Sequence, residues 1–183
     1  MQSSSERLIA RPPTQADAED LFRIYGDPET NRLNPEGPFP DLAYSVAVMA
    51  AWVRHWETHG FGYWAIATRV APERLVGFGG LRIRDFHGKP INNLGYHFSL
   101  EAWGQGFATE FARLALDHGF VQAGLDIVTA LVRENHPASR RVLEKLGFHH
   151  SERKVDPHDP PPLLVYRLDR DQWTQARAGA RST

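Results

Sequence analysis

Three strand signals follow one another before any long helix intervenes, and that order restricts the fold more than any other feature of the chain. The strands are Tyr63–Thr68, Leu75–Arg84 and Leu94–Leu100, with Asp85–Asn92 reading as the turn between the second and third. A strong helix then runs from Phe107 to Gly124, with Phe107, Phe111, Leu114, Ala115 and Val121 as apolar positions. A β-branched strand follows at Ile127–Val132. Strands joined by short turns pair antiparallel, whereas strands joined through a helix pair parallel. The chain therefore predicts a mixed α/β sheet, mostly antiparallel, with helices on both faces.

The flanking segments complete the order. Arg7–Arg11 reads as a short strand stopped by Pro12 and Pro13, and Thr14 can cap a helix extending through Asp20 to Tyr25. Residues 26–41 hold Pro28, Pro35, Pro38 and Pro40 among Gly and Asn, so they read as loop. Leu42, Val46, Met49, Val53 and Trp56 form a helical stripe that Gly60 and Gly62 end. Pro137–Leu146 is a short helix closed by Gly147, and Phe148–Lys154 and Leu163–Leu168 are two last strands. The result is one expected domain over residues 1–183, with its core about 7–169. The Ala-, Arg- and Gly-rich tail, 174–183, is expected to fray.

Composition removes several function classes. A formal net charge of -1 sets up no field that would gather nucleic acid or an anionic membrane. With no cysteine, the chain has no disulfide, no thiolate metal site and no thiol nucleophile. The nine histidines show no tight ligand spacing, so no metal is implied. Met1–Glu6 lacks an apolar signal region, and no apolar run is long enough to span a bilayer. These features predict a cytoplasmic protein, monomer or homodimer.

The chemistry is concentrated in two stretches. In Leu100-Glu101-Ala102-Trp103-Gly104-Gln105-Gly106-Phe107-Ala108-Thr109-Glu110 a strand enters a glycine-paired turn that opens directly into a helix. Positive φ at two glycines and the free N–H groups of a helix start make an anion site suited to a pyrophosphate. No Lys follows Gly106, so this is not a nucleotide-hydrolysing P-loop, and Thr109 stands where a dinucleotide fingerprint needs a third glycine. The turn read alone is equally compatible with plain strand–helix packing. The second stretch, Glu134-Asn135-His136-Pro137-Ala138-Ser139-Arg140-Arg141, starts the short helix, with Pro137 at its first position and Asn135 or His136 as cap. Gly77-Phe78-Gly79-Gly80 has no following helix and reads as a strand in close backbone contact.

Trp103-Gly104-Gln105-Gly106-Phe107-Ala108-Thr109-Glu110, His118-Gly119-Phe120 and Ser139-Arg140-Arg141-Val142-Leu143-Glu144-Lys145-Leu146-Gly147-Phe148 together resemble the GNAT superfamily of N-acetyltransferases. They are most similar to its ribosomal-protein-alanine N-acetyltransferase branch, as are Arg7–Pro12 and Leu94-Gly95-Tyr96. The resemblance implies a GNAT-like sheet with a V-shaped split between two parallel strands, here Leu94–Leu100 and Ile127–Val132. It implies acetyl-CoA as cosubstrate and no metal. The pyrophosphate would lie on Trp103, Gly104, Gln105, Gly106, Phe107, Ala108 and Thr109, and the pantetheine arm near Phe98, Ser99 and Leu100. Asn135, Ser139 and Arg140 would contact the cosubstrate from the second helix. The acetyl group would pass directly to an amine in a ternary complex, the leading acceptor being a protein or peptide N-terminus. A small-molecule amine (polyamine, amino acid or antibiotic) and a non-catalytic acyl-CoA-binding module are the alternatives.

The chain departs from the family pattern at three informative places. Trp103 replaces a usual Gln or Arg, Leu143 stands where many relatives carry a tyrosine general acid, and Asn93 stands where the branch often has Glu. Ser139 is the candidate proton donor to the departing thiolate. Tyr96, His97 and Glu101 are the candidate bases, and strand alternation turns Tyr96 and His97 to opposite faces. Trp52, Trp56, Phe61 and Trp64 read as core or as acceptor pocket.

Overall fold

The computed structural model describes residues 2–34 and 36–180, with side chains as far as Ala178. Eight strands form one sheet in the order β1-β2-β3-β4-β5-β6-β8-β7. They are β1 (Ser3–Ser4), β2 (Leu8–Arg11), β3 (Tyr63–Thr68), β4 (Ala71–Phe86), β5 (Lys89–Phe98), β6 (Ile127–Arg133), β7 (His149–Lys154) and β8 (Leu163–Asp169). The helices are α1 (Ala18–Tyr25), α2 (Pro28–Asn31), α3 (Leu42–His59), α4 (Phe107–Asp117), α5 (Pro137–Lys145) and α6 (Arg170–Ala180). Every neighbouring pair is antiparallel except β5–β6.

Two apolar layers cover the sheet. On one face, Leu21 and Ile24 of α1 and Met49 and Trp52 of α3 pack on Ala65, Ala67 and Phe78. On the other, Phe107, Phe111, Ala115 and Leu116 of α4 and Leu143 of α5 pack on Leu81, Leu94, Val128 and Ala130. Burying each large side chain stabilises the fold by about 1.5–3 kcal/mol.

Besides the short added strand β1 and an earlier start of β4 at Ala71, four segments depart most from the pattern read in sequence. The prolines of 26–41 do not exclude a helical turn: Asp27 caps α2 by accepting from the Glu29 N–H at 2.9 Å, and Pro28 sits at the first position. The β4–β5 hairpin continues through the expected turn as far as Phe86 and Lys89, because His87 (φ 53) and Gly88 (φ 75) close it in two residues. The helix from Phe107 is α-helical to Asp117 and then widens into a π-turn over His118–Gln122, where Gly119 lies against Leu81. Helix α6 runs past Thr174, where fraying is expected to begin. Buried Trp173 donates to Asp117 Oδ1 at 2.9 Å and Arg177 pairs with the same carboxylate at 2.6 Å. The last three residues of that tail, 181–183, lie outside the described residues.

The glycine run of β4 has the close contacts its composition predicts. A Cβ at Gly79 would fall 2.7 Å from the Gly95 carbonyl oxygen, and one at Gly77 would fall 2.6 Å from Phe98. Glycine at these positions leaves room for the close approach of the paired strand β5.

Candidate active site

Strands β5 and β6 pair in register at Asn93 and Thr129 and no further. Beyond that point residues 94–97 of β5 and 130–133 of β6 instead line opposite walls of a cleft of about 940 Å³. A split of this kind exposes the inside edges of two central strands, so polar groups can be brought to a buried place without breaking the rest of the sheet.

Both candidate residues on β5 reach the cleft, from opposite faces as alternation requires. Tyr96 faces the α4–α5 layer, and its phenol lies 3.1 Å from Ser139 Oγ. Burial pushes the Tyr96 phenol up to about 12, against the opposing effect of its Ser139 hydrogen bond. It therefore stays protonated at neutral pH, able to donate and unsuited to act as a base. His97 faces α1 and stacks on Tyr25 with ring centroids 4.2 Å apart. Burial lowers its imidazole to about 4, and its Nε2 has no partner among the described residues. Glu101 lies outside the cleft lining and pairs with Arg74 at 2.8 Å.

Helix α5 presents Ser139 correctly because another residue does the capping. His136 is the N-cap, its Nδ1 accepting from the Ser139 N–H at 3.3 Å. The Ser139 hydroxyl is thus free of cap duty and points to Tyr96. His136 lines the cleft, and burial lowers its pKa despite a backbone hydrogen bond that works the other way. Asn135 is exposed and outside the lining. Arg140 Nη1 donates to the Glu134 carbonyl at 3.3 Å, outside the cleft lining. Leu143 is buried and forms part of the cleft wall.

The glycine-paired turn stands apart from this cleft lining. Gly104 (φ 75) and Gly106 (φ 79) both occupy the left-handed region, and Gly106 is the N-cap of α4. A Cβ at Gly104 would meet nothing within 4 Å, and one at Gly106 only Arg7 Nη2 at 3.6 Å. The first three helical N–H groups, of Phe107, Ala108 and Thr109, have no intrahelical acceptor. Open space beside unpaired donors fits a pyrophosphate. Glu110, in the same first turn, is neutralised locally: Arg7 bridges it at 2.7 Å and also donates to the Gln105 carbonyl at 2.9 Å. The Gln105 side chain donates to the Glu101 carbonyl at 2.6 Å. The Trp103 indole donates to the Phe98 carbonyl at 3.0 Å, so this departure from the family pattern ties the turn to the end of β5. Ser99 donates its hydroxyl to the Val76 carbonyl at 3.1 Å, and Leu100 is exposed.

Residues 7–149 match the acetyltransferase (GNAT) domain. The chain belongs to the GNAT acetyltransferase family. It is 26% identical over 144 residues to an uncharacterized N-acetyltransferase, YoaA, of Bacillus subtilis, covering 79% of this chain and 80% of that one. It is 28% identical over 186 aligned positions to an FsC-acetyl coenzyme A-N(2)-transacetylase of Aspergillus fumigatus, covering 91% and 75%. In fold it is similar to a ribosomal-protein-S5-alanine acetyltransferase from Vibrio fischeri, with TM-score 0.74, 17% identity and coverage of 94% and 98%. The protein is thus a GNAT acyltransferase, a family whose cosubstrate is acetyl-CoA. No helix among the described residues is long and apolar enough to cross a membrane. No group of three His, Asp or Glu side chains converges there as a metal site.

Two residues near the split, Tyr63 and Arg82, escaped the sequence reading of site chemistry, and Asn93 entered it only as a departure from the family pattern. Asn93 is buried at the apex, with its Oδ1 unpartnered among the described residues. Tyr63 lies across Gly95, its phenol filling the space a Cβ would take. Arg82 stands over the Tyr63 ring at 5.3 Å. Cross-strand register brings these side chains together, and register is not written in local sequence. Of the four aromatics weighed as core or pocket, Trp52 is both, while Phe61 and Trp64 are buried in the core and Trp56 packs against it.

Proposed function

We propose that this GNAT enzyme transfers acetyl from acetyl-CoA directly to an α-amine, foremost the N-terminal amine of a protein or peptide. One observation carries the reading: β5 turns only the His97 imidazole and the Asn93 amide to the acceptor face, so the strand beside the split presents no strong base, and Glu36 of the lining is paired with Arg84. His97 is held near 4, and Asn93 stands where a carboxylate would serve. An amine must lose its proton before attack. At pH 7.5 an α-amine with pKa about 8 is roughly one-quarter neutral, whereas a lysine-like amine near 10.4 is only about 0.1% neutral. A site without a strong base favours the former by about two orders of magnitude.

The residues divide by face. Bound acetyl-CoA supplies an activated acetyl group and a thiolate leaving group. The first-turn N–H groups of α4 and the turn from Trp103 to Ala108 would hold its pyrophosphate. Ser139 and the neutral Tyr96 phenol would hold a proton for the thiolate, whose pKa is about 8.5. That pair takes the place of the tyrosine that Leu143 replaces. His97 and Asn93 face the other side, where the amine would enter, so the two substrates approach through opposite faces of the sheet. Positioning then supplies most of the rate.

The test is thiol release from acetyl-CoA with peptides, amino acids, polyamines and ε-amines, and mass spectrometry of the products. Acetylated α-amines are expected. Exclusive acetylation of ε-amines or polyamines would reject the acceptor class, and no release with any amine would leave an acyl-CoA-binding module.

A further inference from the structure

Four Arg and Lys side chains line the cleft: Arg82, Arg84, Arg133 and Lys154. Three of them face a carboxylate. Arg84 lies 3.6 Å from Glu36, Arg133 is bound to Asp159, and Lys154 is 2.7 Å from Glu152. Arg82 has neither an ion pair nor a hydrogen bond among the described residues; its guanidinium rests over Tyr63. A half-buried guanidinium gives up part of its hydration, and stacking on a ring leaves its five N–H donors unspent.

Its cross-strand partner is Asn93. Directly opposed residues of an antiparallel pair lie on one face with Cβ atoms about 5 Å apart. Asn93 is 7% exposed, lines the same cleft, and lacks a donor for Oδ1. Although they are neighbours, no hydrogen bond joins them, because the Arg82 guanidinium rests over Tyr63, so the donors of one and the acceptor of the other both stay open to the cleft.

We propose that Arg82 and Asn93 form an acceptor subsite that reads a carboxylate carried close to the attacking amine, Arg82 taking the carboxylate and Asn93 Oδ1 an amine N–H. This rests on the α-amine reading above and narrows it. The carboxylate is an acidic side chain at the start of a peptide or the α-carboxylate of a free amino acid. Arg82 would also disfavour a polycation, which would meet an uncompensated like charge there.

The experiment compares kcat/KM for matched acceptors: peptides beginning Ala-Asp against Ala-Asn, Asp-Ala against Asn-Ala, and alanine against alanine amide. The native enzyme is expected to favour the carboxylate member of at least one pair by about 10- to 100-fold, the range for a hydrogen bond to a charged group. The preferred pair tells peptide side chain from free amino acid. Arg82→Gln should bring that ratio near one. Arg82→Glu should invert it toward peptides beginning Ala-Lys, a gain that misfolding cannot mimic. Asn93→Leu should raise KM for every acceptor while calorimetry finds the acetyl-CoA affinity kept. Turnover of α-amines with no charge preference in any pair overturns the subsite alone. Acetylation confined to polyamines or ε-amines overturns the α-amine reading and the subsite with it.

Discussion

The phenol of Tyr96 and the hydroxyl of Ser139 lie 3.1 Å apart across the split, although 43 positions separate them in the chain. One belongs to a strand edge and the other to the first turn of a helix. Neither needs its hydroxyl for secondary structure, because His136 caps that helix. A hydrogen-bonded pair of neutral donors at the base of a cleft is suited to deliver a proton.

Removing either hydroxyl should therefore slow turnover without loosening the fold. Ser139→Ala and Tyr96→Phe should each lower kcat by about 10²-fold, the low end for acid help, since a thiolate already leaves readily. The double variant should be little worse than either single one, because the two act as a unit. His136→Ala should instead reduce stability by about 1 kcal/mol through loss of the cap. Turnover and melting measured on the same samples separate the two effects. A Ser139→Ala variant that melts lower but turns over normally would make Ser139 structural.

Gly106→Val tests the anion turn. The chain leaves room at this position, so the first cost is conformational: a β-branched residue at φ 79 is strained by about 1–3 kcal/mol. The second is that its side chain occupies the space beside the first-turn N–H groups. Calorimetry should show acetyl-CoA affinity reduced at least tenfold, about 1.4 kcal/mol. Unchanged affinity in a folded variant would move the pyrophosphate elsewhere.

Acid should destabilise the protein through His97. Its imidazole titrates at about 4 when folded and at 6.5 when unfolded. Between those values the unfolded chain binds the extra proton, so stability falls as pH falls from 6.5 toward 4 and is fully present above 6.5. The loss from this group is about 2–3 kcal/mol. Denaturant titrations at pH 7 and pH 4.5 should show it in the native protein and not in His97→Gln. Equal acid losses in both would remove His97 as the cause.

The same burial shapes the rate profile. For an α-amine acceptor, kcat/KM should rise with the acceptor's own ionisation near pH 8, with no inflection near 6.5, because His97 is already neutral there. Acceptors of lower amine pKa should shift the limb downward in step. A limb that stays fixed across acceptors would point to an enzyme base instead.

Direct transfer predicts intersecting lines when initial rates are measured against both substrates. The chain has no cysteine to carry an acyl group. Parallel lines with an isolable acyl-enzyme would contradict it.

Local sequence determined the elements and the two motifs of this protein. The glycines at 104 and 106 permit the left-handed turn that they adopt, and Pro137 and Gly147 bracket a helix without help from the rest of the chain. The mixed, mostly antiparallel character of the sheet followed as well, since meander strands and a helical crossover admit few sheets, whereas the insertion of β8 between β6 and β7 did not. Where local signals were balanced, packing decided: α2 formed among prolines because Thr30 and Asn31 donate to the carbonyls of Ile24 and Tyr25. Trp173 carried the last helix past the expected fraying point by burying itself near Phe120. The cleft belongs to tertiary structure entirely. Register set Arg82 beside Asn93, the parting of β5 from β6 brought Tyr96 to Ser139, and burial under Tyr25 lowered the His97 pKa. Side-chain period and cap chemistry act within a few residues, whereas register, splay and desolvation depend on which distant segments meet.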